Sequence, residues 1–308
     1  MDKSKKARIF VSTLVILAGF YYVFTGVSFS DVFQEIAGLN PVAILAFFSV
    51  QLFIILLMSY RWKCVIAEKG VELKLWDSFR YYNISFFVNF FLPARAGDLY
   101  RGYLSSKKDF IDSSLIVLKE RLFDLVVLMF FFSILVITIF ERFTSYLMVI
   151  FMVLSAGIFI YFFFEKIERT PFLNEKYVLF RSSFIEAVRT RRKVFYLLLT
   201  AFTWLVEVLK TFIVFYGLGI EADLFLIAFF TFSWSLVAAI PVSPSGLGSS
   251  EAVTLFILLS YGILRTEAAS LVLMYRGLLL AMTLIFGGFF YVRDVLKNTD
   301  VKKPRDHS

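Results

Sequence analysis

Cysteine and histidine are nearly missing from this sequence: Cys64 and His307 are the single examples of each in 308 residues. One cysteine excludes an intrachain disulfide and any zinc site built on several thiolates. His307 stands in a polar C-terminal stretch, which removes a Ser-His-Asp triad and a histidine-rich metal centre. Charged residues make up only 18% of the chain, against roughly 25% in soluble domains. There is no nucleotide-hydrolysis motif, no low-complexity segment and no repeat of solenoid length. The residues require no cofactor and no metal, and they supply no catalytic set beyond isolated carboxylates, so the protein is read as a non-enzyme.

Apolar residues fill the space that charge leaves. At 59% hydrophobic, with 40 phenylalanines and a mean hydropathy of +0.79, the chain exceeds the roughly 45–50% apolar share of soluble domains. Runs such as Val11 to Phe24, Val42 to Tyr60, Leu125 to Phe140, Tyr146 to Phe164 and Val194 to Gly217 approach or reach the ~17–25 residues that cross hydrocarbon as a helix. The fold class is therefore all-α, a polytopic transmembrane helix bundle. Met1 to Arg8 followed by an apolar run resembles a secretory leader, but Tyr21, Tyr22 and Phe24 stand where small residues would mark cleavage, so an uncleaved first span is expected.

The net charge of +8 is distributed beside apolar segments, not on a soluble face, which argues for positive-inside topology and against nucleic acid. Basic loops at the N-terminus, 61–80, 95–108, 166–193 and after Arg293 are placed in the cytoplasm; 28–40, 141–145 and 218–223 are placed outside. Full spans are expected near 9–27, 41–60, 119–140, 145–164, 194–217 and 268–290, with both termini inside the cell. One membrane domain covers 1–308: a first half to 164, an interfacial cytoplasmic loop at 165–193, a second half at 194–292 and a polar tail at 293–308.

Two apolar regions are interrupted. Tyr81 to Leu92 stops at Pro93 and resumes at Leu99 to Ser105; Leu224 to Ile240 stops at Pro241 and resumes from Ala252 to Leu264. Their flanks place them as helical hairpins entering from opposite faces, in an inverted pseudo-repeat, with an eight-span chain as the competing arrangement. Interrupted helices survive at membrane depth only where protein or water satisfies their backbone, and paired interruptions point to a substrate site between halves.

Eight charges lie in or near these regions: Arg95, Asp98, Arg101, Glu120, Arg121, Asp124, Glu251 and Arg276, four of each sign. Each costs about 2.5–3.5 kcal/mol to insert, so they are expected to pair, either as structural ion pairs or around a polar cavity. Glu120 and Asp124, opening the helix at Lys119, share a face and would need a cation such as Arg95 or Arg101 between them. Glu207 and Lys210 are expected to pair with each other. Ser243, Ser245, Gly246, Gly248, Ser249 and Ser250 precede a helix whose free N–H groups favour an anion; in the plainer alternative the glycines only reverse the chain and Ser250 caps the helix.

Asn89, then Leu92-Pro93-Ala94-Arg95-Ala96-Gly97-Asp98 and Arg101, then Glu120-Arg121 with Asp124, then Pro241, Ser243-Pro244, Gly246-Leu247-Gly248 and Glu251, and finally Arg276 form an ordered series. It resembles the lysylphosphatidylglycerol synthase transmembrane region, or flippase-like domain, family. Arg61-Trp62 after the second helix is also similar; Asp98 stands where glutamate is common and Ser245 where glycine is common. The resemblance implies translocation of a phospholipid or polyprenyl-phosphate headgroup at the cell membrane. In it, Arg95, Arg101 and Arg276 hold phosphate, and Glu120, Asp124 and Glu251 orient the arginines or meet a cationic headgroup. The synthase module that accompanies this region in multiple peptide resistance factor proteins does not follow here, so synthesis is not expected. The alternative is an accessory subunit of a membrane glycosyltransferase or aminoacyl-lipid synthase, and a homodimer is compatible with either.

Overall fold

The computed structural model describes residues 3–92, 95–106, 110–139, 190–239 and 243–300. Among them the structure is helical: α1 (Lys3–Phe24), α2 (Phe29–Ala37), α3 (Pro41–Ala67), α4 (Leu75–Phe91), α5 (Ala96–Ser106), α6 (Phe110–Ile139), α7 (Lys193–Gly217), α8 (Leu224–Ala239), a 3-10 turn (Pro244–Gly246), α9 (Ser249–Ser260) and α10 (Arg265–Met282). A π-helical stretch (Thr283–Gly288) then leads into α11 (Phe289–Asp300). The chain forms two compact units, Met1–Lys107 with Val206–Ser308, and Lys108–Leu205.

The bundle is apolar on both its inner and outer surfaces. α3 buries Phe47, Ile54 and Trp62, yet it leaves Val42 and Leu45 exposed. A helix without a polar face belongs in a large core or in a membrane. Among the described residues, α3, α7 and the continuous run Arg265–Asp294 are long and apolar enough to span, and α1 with α2 makes a fourth if that bent pair is one span. These elements make the protein a helical membrane protein.

Several boundaries differ from the sequence reading. The 28–40 connection contains α2, bent 81° from α1. The expected helix start at Lys119 lies well inside α6, which begins at Phe110, because Phe110 to Leu118 carries enough apolar residues to propagate the helix. Arg61 and Trp62 lie within α3, not after it. The polar tail from Arg293 remains helical to Asp300. The expected span at 145–164 and nearly all of loop 165–193 fall outside the described residues.

In the first unit, the interrupted regions are helical hairpins. Leu92, before Pro93, is extended at φ −110°, ψ 136°, and Ser243, before Pro244, is extended at φ −132°, ψ 157°, as steric conflict with the proline ring demands. α4 and α5 begin and end beside the C-terminal part of α3: Ser78 Oγ donates to Ser59 O (2.7 Å) and Trp62 Nε1 to Ser105 Oγ (2.9 Å). α8 and α9 begin and end at the other face, where Phe225 meets Tyr261 with centroids 6.5 Å apart. That face also holds the end of α2, its connection to α3 and the end of α7, which together line a cleft of about 550 Å³. The hairpins thus enter the unit from opposite faces.

The second unit holds α6 and the beginning of α7. Phe123 of α6 packs on Tyr196 of α7, with centroids 5.5 Å apart.

Candidate functional site

The second break is built from residues in left-handed conformation. Ser245 (φ 49°), Gly246 (φ 69°) and Gly248 (φ 82°) turn the chain sharply before α9. Glycine adopts this region freely and an L-residue such as Ser245 does so at a cost of about 1–2 kcal/mol. Gly248 also faces α1 closely: a Cβ there would lie 2.7 Å from Ile16 Cα. Glu251, in the first turn of α9, accepts from Gly248 N–H at 2.8 Å. Glu251, not Ser250, therefore caps the helix; the Ser250 hydroxyl points to Trp234 O instead.

The other Glu251 carboxylate oxygen pairs with Arg276 Nε. Arg276 further donates to Ser245 O (3.2 Å) and Gly246 O (3.5 Å), and its guanidinium lies 4.5 Å from the Trp234 ring centroid. Glu251 is wholly buried and Arg276 only 9% exposed. The guanidinium thus answers carbonyls that the unwound segment leaves outside any α-helix, with all three of its nitrogens engaged. Two of the turn's hydroxyls are used locally, Ser243 on Leu247 O and Ser249 on Gly246 O. The chemistry available to an anion at this break therefore centres on Arg276.

The first break is stapled by side chains. Asn89 Nδ2 donates to Asp98 Oδ1 (3.2 Å), Asn89 Oδ1 accepts from Gly97 N–H (2.8 Å), and Ser85 Oγ also donates to Asp98 Oδ1 (2.9 Å). Asp98 is 3% exposed, so these bonds replace the water that a buried carboxylate loses. Arg95 adopts φ 54° at the turn. Arg101 is fully buried, with its guanidinium 4.1 Å from the Trp62 ring and 3.8 Å from the Tyr82 ring.

The two breaks touch. Ser245 Oγ donates to Asn89 O at 3.1 Å across 156 residues of sequence. The carbonyl that the end of α4 cannot satisfy within its own helix is met by the tip of the opposite hairpin. Arg276, rather than Arg95 or Arg101, is the cation bound to Glu251 and the Gly246 turn.

Residues 9–287 match the lysylphosphatidylglycerol synthase TM region. The chain belongs to that family. Among relatives of the chain is a UPF0104 membrane protein of Methanocaldococcus jannaschii, 29% identical over 235 residues that cover 70% of this chain and 99% of the relative. A second UPF0104 membrane protein of the same organism is 20% identical over 336 aligned positions, covering 97% of this chain and 99% of the relative. No solved structure matches the chain.

In this family member, the second unit carries the remaining expected residues. Glu120 is fully buried and Lys119 is 2% exposed, more than two turns into α6, so neither lies at a watery helix start. Arg121 Nη1 pairs with Asp124 at 2.9 Å; Asp124 thus has a cation of its own helix.

Sequence reasoning did not single out Tyr82, Ser85 or Trp234, and it noted Trp62 only beside Arg61 in the family resemblance. Ser85 was accessible, since it precedes Asn89 by one helical turn and shares its face. The aromatic partners of Arg101 and Arg276 were not, because nothing local marks which ring a distant guanidinium will cover.

Proposed function

We propose that this protein moves an anionic lipid headgroup, that of a phospholipid or a polyprenyl phosphate, across the cell membrane between the tips of its two hairpins. The observation that carries the reading is the buried Arg276–Glu251 pair beside the Asn89–Ser245 junction. Glu251 holds the place of the anion. A lipid phosphate reaching Arg276 exchanges for that carboxylate, and the Ser245 and Gly246 carbonyls with the Trp234 ring keep the guanidinium positioned during the exchange. Exchange of one oxyanion for another keeps Arg276 paired throughout, and the displaced Glu251 carboxylate keeps its bond from Gly248 N–H, so the cation is never bare at membrane depth, where an unpaired charge costs about 2.5–3.5 kcal/mol on insertion scales. No covalent bond is made or broken. The basic loops support placing the termini in the cytoplasm.

Purified protein in liposomes containing fluorescent phosphatidylglycerol tests this directly. Wild type should move label between leaflets, and Arg276→Ala should slow it at least tenfold. Equal rates for both would overturn translocation at this site and favour an accessory subunit of a glycosyltransferase or lipid synthase, in which the buried pair only holds the hairpins together.

A further inference from the structure

The cleft at the face where α8 and α9 begin and end lies apart from the hairpin tips. Gln34, Glu35 and Gly38 from the end of α2, Asn40 in the connection to α3, and residues 216–219 at the end of α7 enclose about 550 Å³, within the roughly 300–1,000 Å³ of small-ligand sites. Packing fixes its walls. Gly217 lets α7 close on the start of α3, since a Cβ there would stand 2.7 Å from Ala43 Cβ and 2.9 Å from Leu39 Cδ1. Less than two turns earlier, Lys210 pairs with Glu207 of its own helix and donates to Gln51 Oε1 of α3 at 2.8 Å, so the two helices are held together below the cleft. Gly219, at φ 70°, ends α7: its N–H donates to Tyr216 O (3.1 Å) and that of Ile220 to Phe215 O (3.0 Å).

The electrostatics of the cleft favour a cation. Glu35 is the charged residue among those that line it, and the connections 25–40 and 218–223 carry Asp31, Glu35, Glu221 and Asp223 but no lysine, arginine or histidine. Two helices, α2 and α7, end at the cleft, and a helix C-terminus is the negative end of its dipole. The opposing N-terminus of α3 is quenched. Pro41 has no N–H to offer, and Asn40 Oδ1 accepts from Val42 N–H at 2.9 Å. Tyr216 is 74% exposed, its ring stacked on Phe212 one turn earlier with centroids 6.1 Å apart. A carboxylate and an open aromatic face lining one cleft suit an ammonium group, and the Gln34 amide adds an acceptor for a cation that has N–H to donate.

The depth of the cleft in the membrane is set by α2. That helix is bent 81° from α1. Its Phe29 and Phe33, four residues apart on one face, are 69% and 71% exposed and Val32 is buried, while Ser30, Asp31, Gln34 and Glu35 occupy the other side. Such a helix lies along the membrane surface, with its rings in the acyl boundary and its polar side in water. Gln34 and Glu35 therefore meet the cleft at headgroup level, within reach of a lipid whose chains lie beside Phe33.

We propose that this cleft is a docking site for the primary ammonium of a lipid headgroup, held at the membrane surface by the Glu35 carboxylate and the Tyr216 ring. The site is separate from Arg276 and does not rest on the headgroup reading. An exposed ion pair and an exposed cation–π contact together correspond to about tenfold in affinity.

The test is calorimetric titration of the full-length protein in detergent with dioctanoyl phosphatidylethanolamine and with its N-acetyl derivative, which keeps the phosphate and the chains but loses the positive charge. Wild type should bind the ammonium lipid about tenfold more tightly than the acetylated one. Glu35→Gln and Tyr216→Leu, both at exposed positions, should keep the wild-type unfolding midpoint and reduce that preference by about fivefold and about threefold respectively. The deacylated headgroup, glycerophosphoethanolamine, should bind at least about tenfold more weakly than the lipid, because it lacks the chains that lie beside α2. Equal binding of the two lipids by wild type, or a preference undiminished in Glu35→Gln or in Tyr216→Leu, would overturn the ammonium site. Equal affinity for the lipid and the deacylated headgroup would overturn a lipid as its occupant. The acetylated lipid still carries a phosphate for Arg276, so each of these failures leaves the headgroup reading standing, and that reading falls only by the leaflet-transfer assay.

Discussion

Removing the Glu251 carboxylate is the most informative perturbation of the hairpin junction. Glu251 does two things at once: it caps α9 through Gly248 N–H and balances Arg276. Glu251→Gln keeps an oxygen for the cap and loses only the charge, while Glu251→Ala loses both. Breaking a buried ion pair by removing one partner costs about 3–5 kcal/mol. Here Arg276 retains two backbone carbonyls and the Trp234 face; a desolvated cation–π contact alone is worth about 2 kcal/mol. The expected loss for Glu251→Gln is therefore about 1–3 kcal/mol, with about 0.5–2 kcal/mol more for alanine through the lost cap. A double-mutant cycle of Glu251→Gln with Arg276→Gln, read by reversible denaturation in mixed detergent micelles, isolates the pair. A coupling energy of about 2 kcal/mol is expected. A value near zero, within about 0.5 kcal/mol, would refute the assignment of Glu251 as the counter-ion of Arg276.

Three other perturbations follow from the same geometry. Gly248→Ala places a Cβ 2.7 Å from Ile16 Cα at a residue with φ 82°; a destabilisation of at least about 2 kcal/mol is expected from strain and overpacking, measurable as a lower unfolding midpoint. Arg101→Lys keeps the charge but not the plane that lies between Trp62 and Tyr82, so it should lose at least about 1 kcal/mol, and equal stability to wild type would show that charge alone matters there. Arg265 donates to Thr25 O (2.6 Å) and Tyr22 O (2.7 Å) at the end of α1; Arg265→Ala should loosen the α1–α2 bend, read as faster thiol labelling of Thr25→Cys in a Cys64→Ser background.

Composition alone determined the solvent. So many apolar residues, arranged without a polar helix face, have nowhere to be buried except lipid, and the prolines at 93 and 241 then marked both interruptions. The series from Asn89 to Arg276 was enough to place the chain in its family. Even the Glu207–Lys210 pair was legible, because residues three apart on a helix meet whatever surrounds them.

Partnerships across the fold were decided elsewhere. That Arg276 binds Glu251, that Arg101 lies between Trp62 and Tyr82, and that Ser245 reaches Asn89 depend on how hairpins 150 residues apart dock, and one buried charge of a given sign serves as well as another in a linear reading. The helix start near Lys119 shows the same limit: charged residues looked like a boundary because their burial was invisible, although the preceding residues already favoured helix. Local chemistry specifies which groups must find partners. Only the packing of opposed hairpins, which removes water from all of them together, specifies which partners they find.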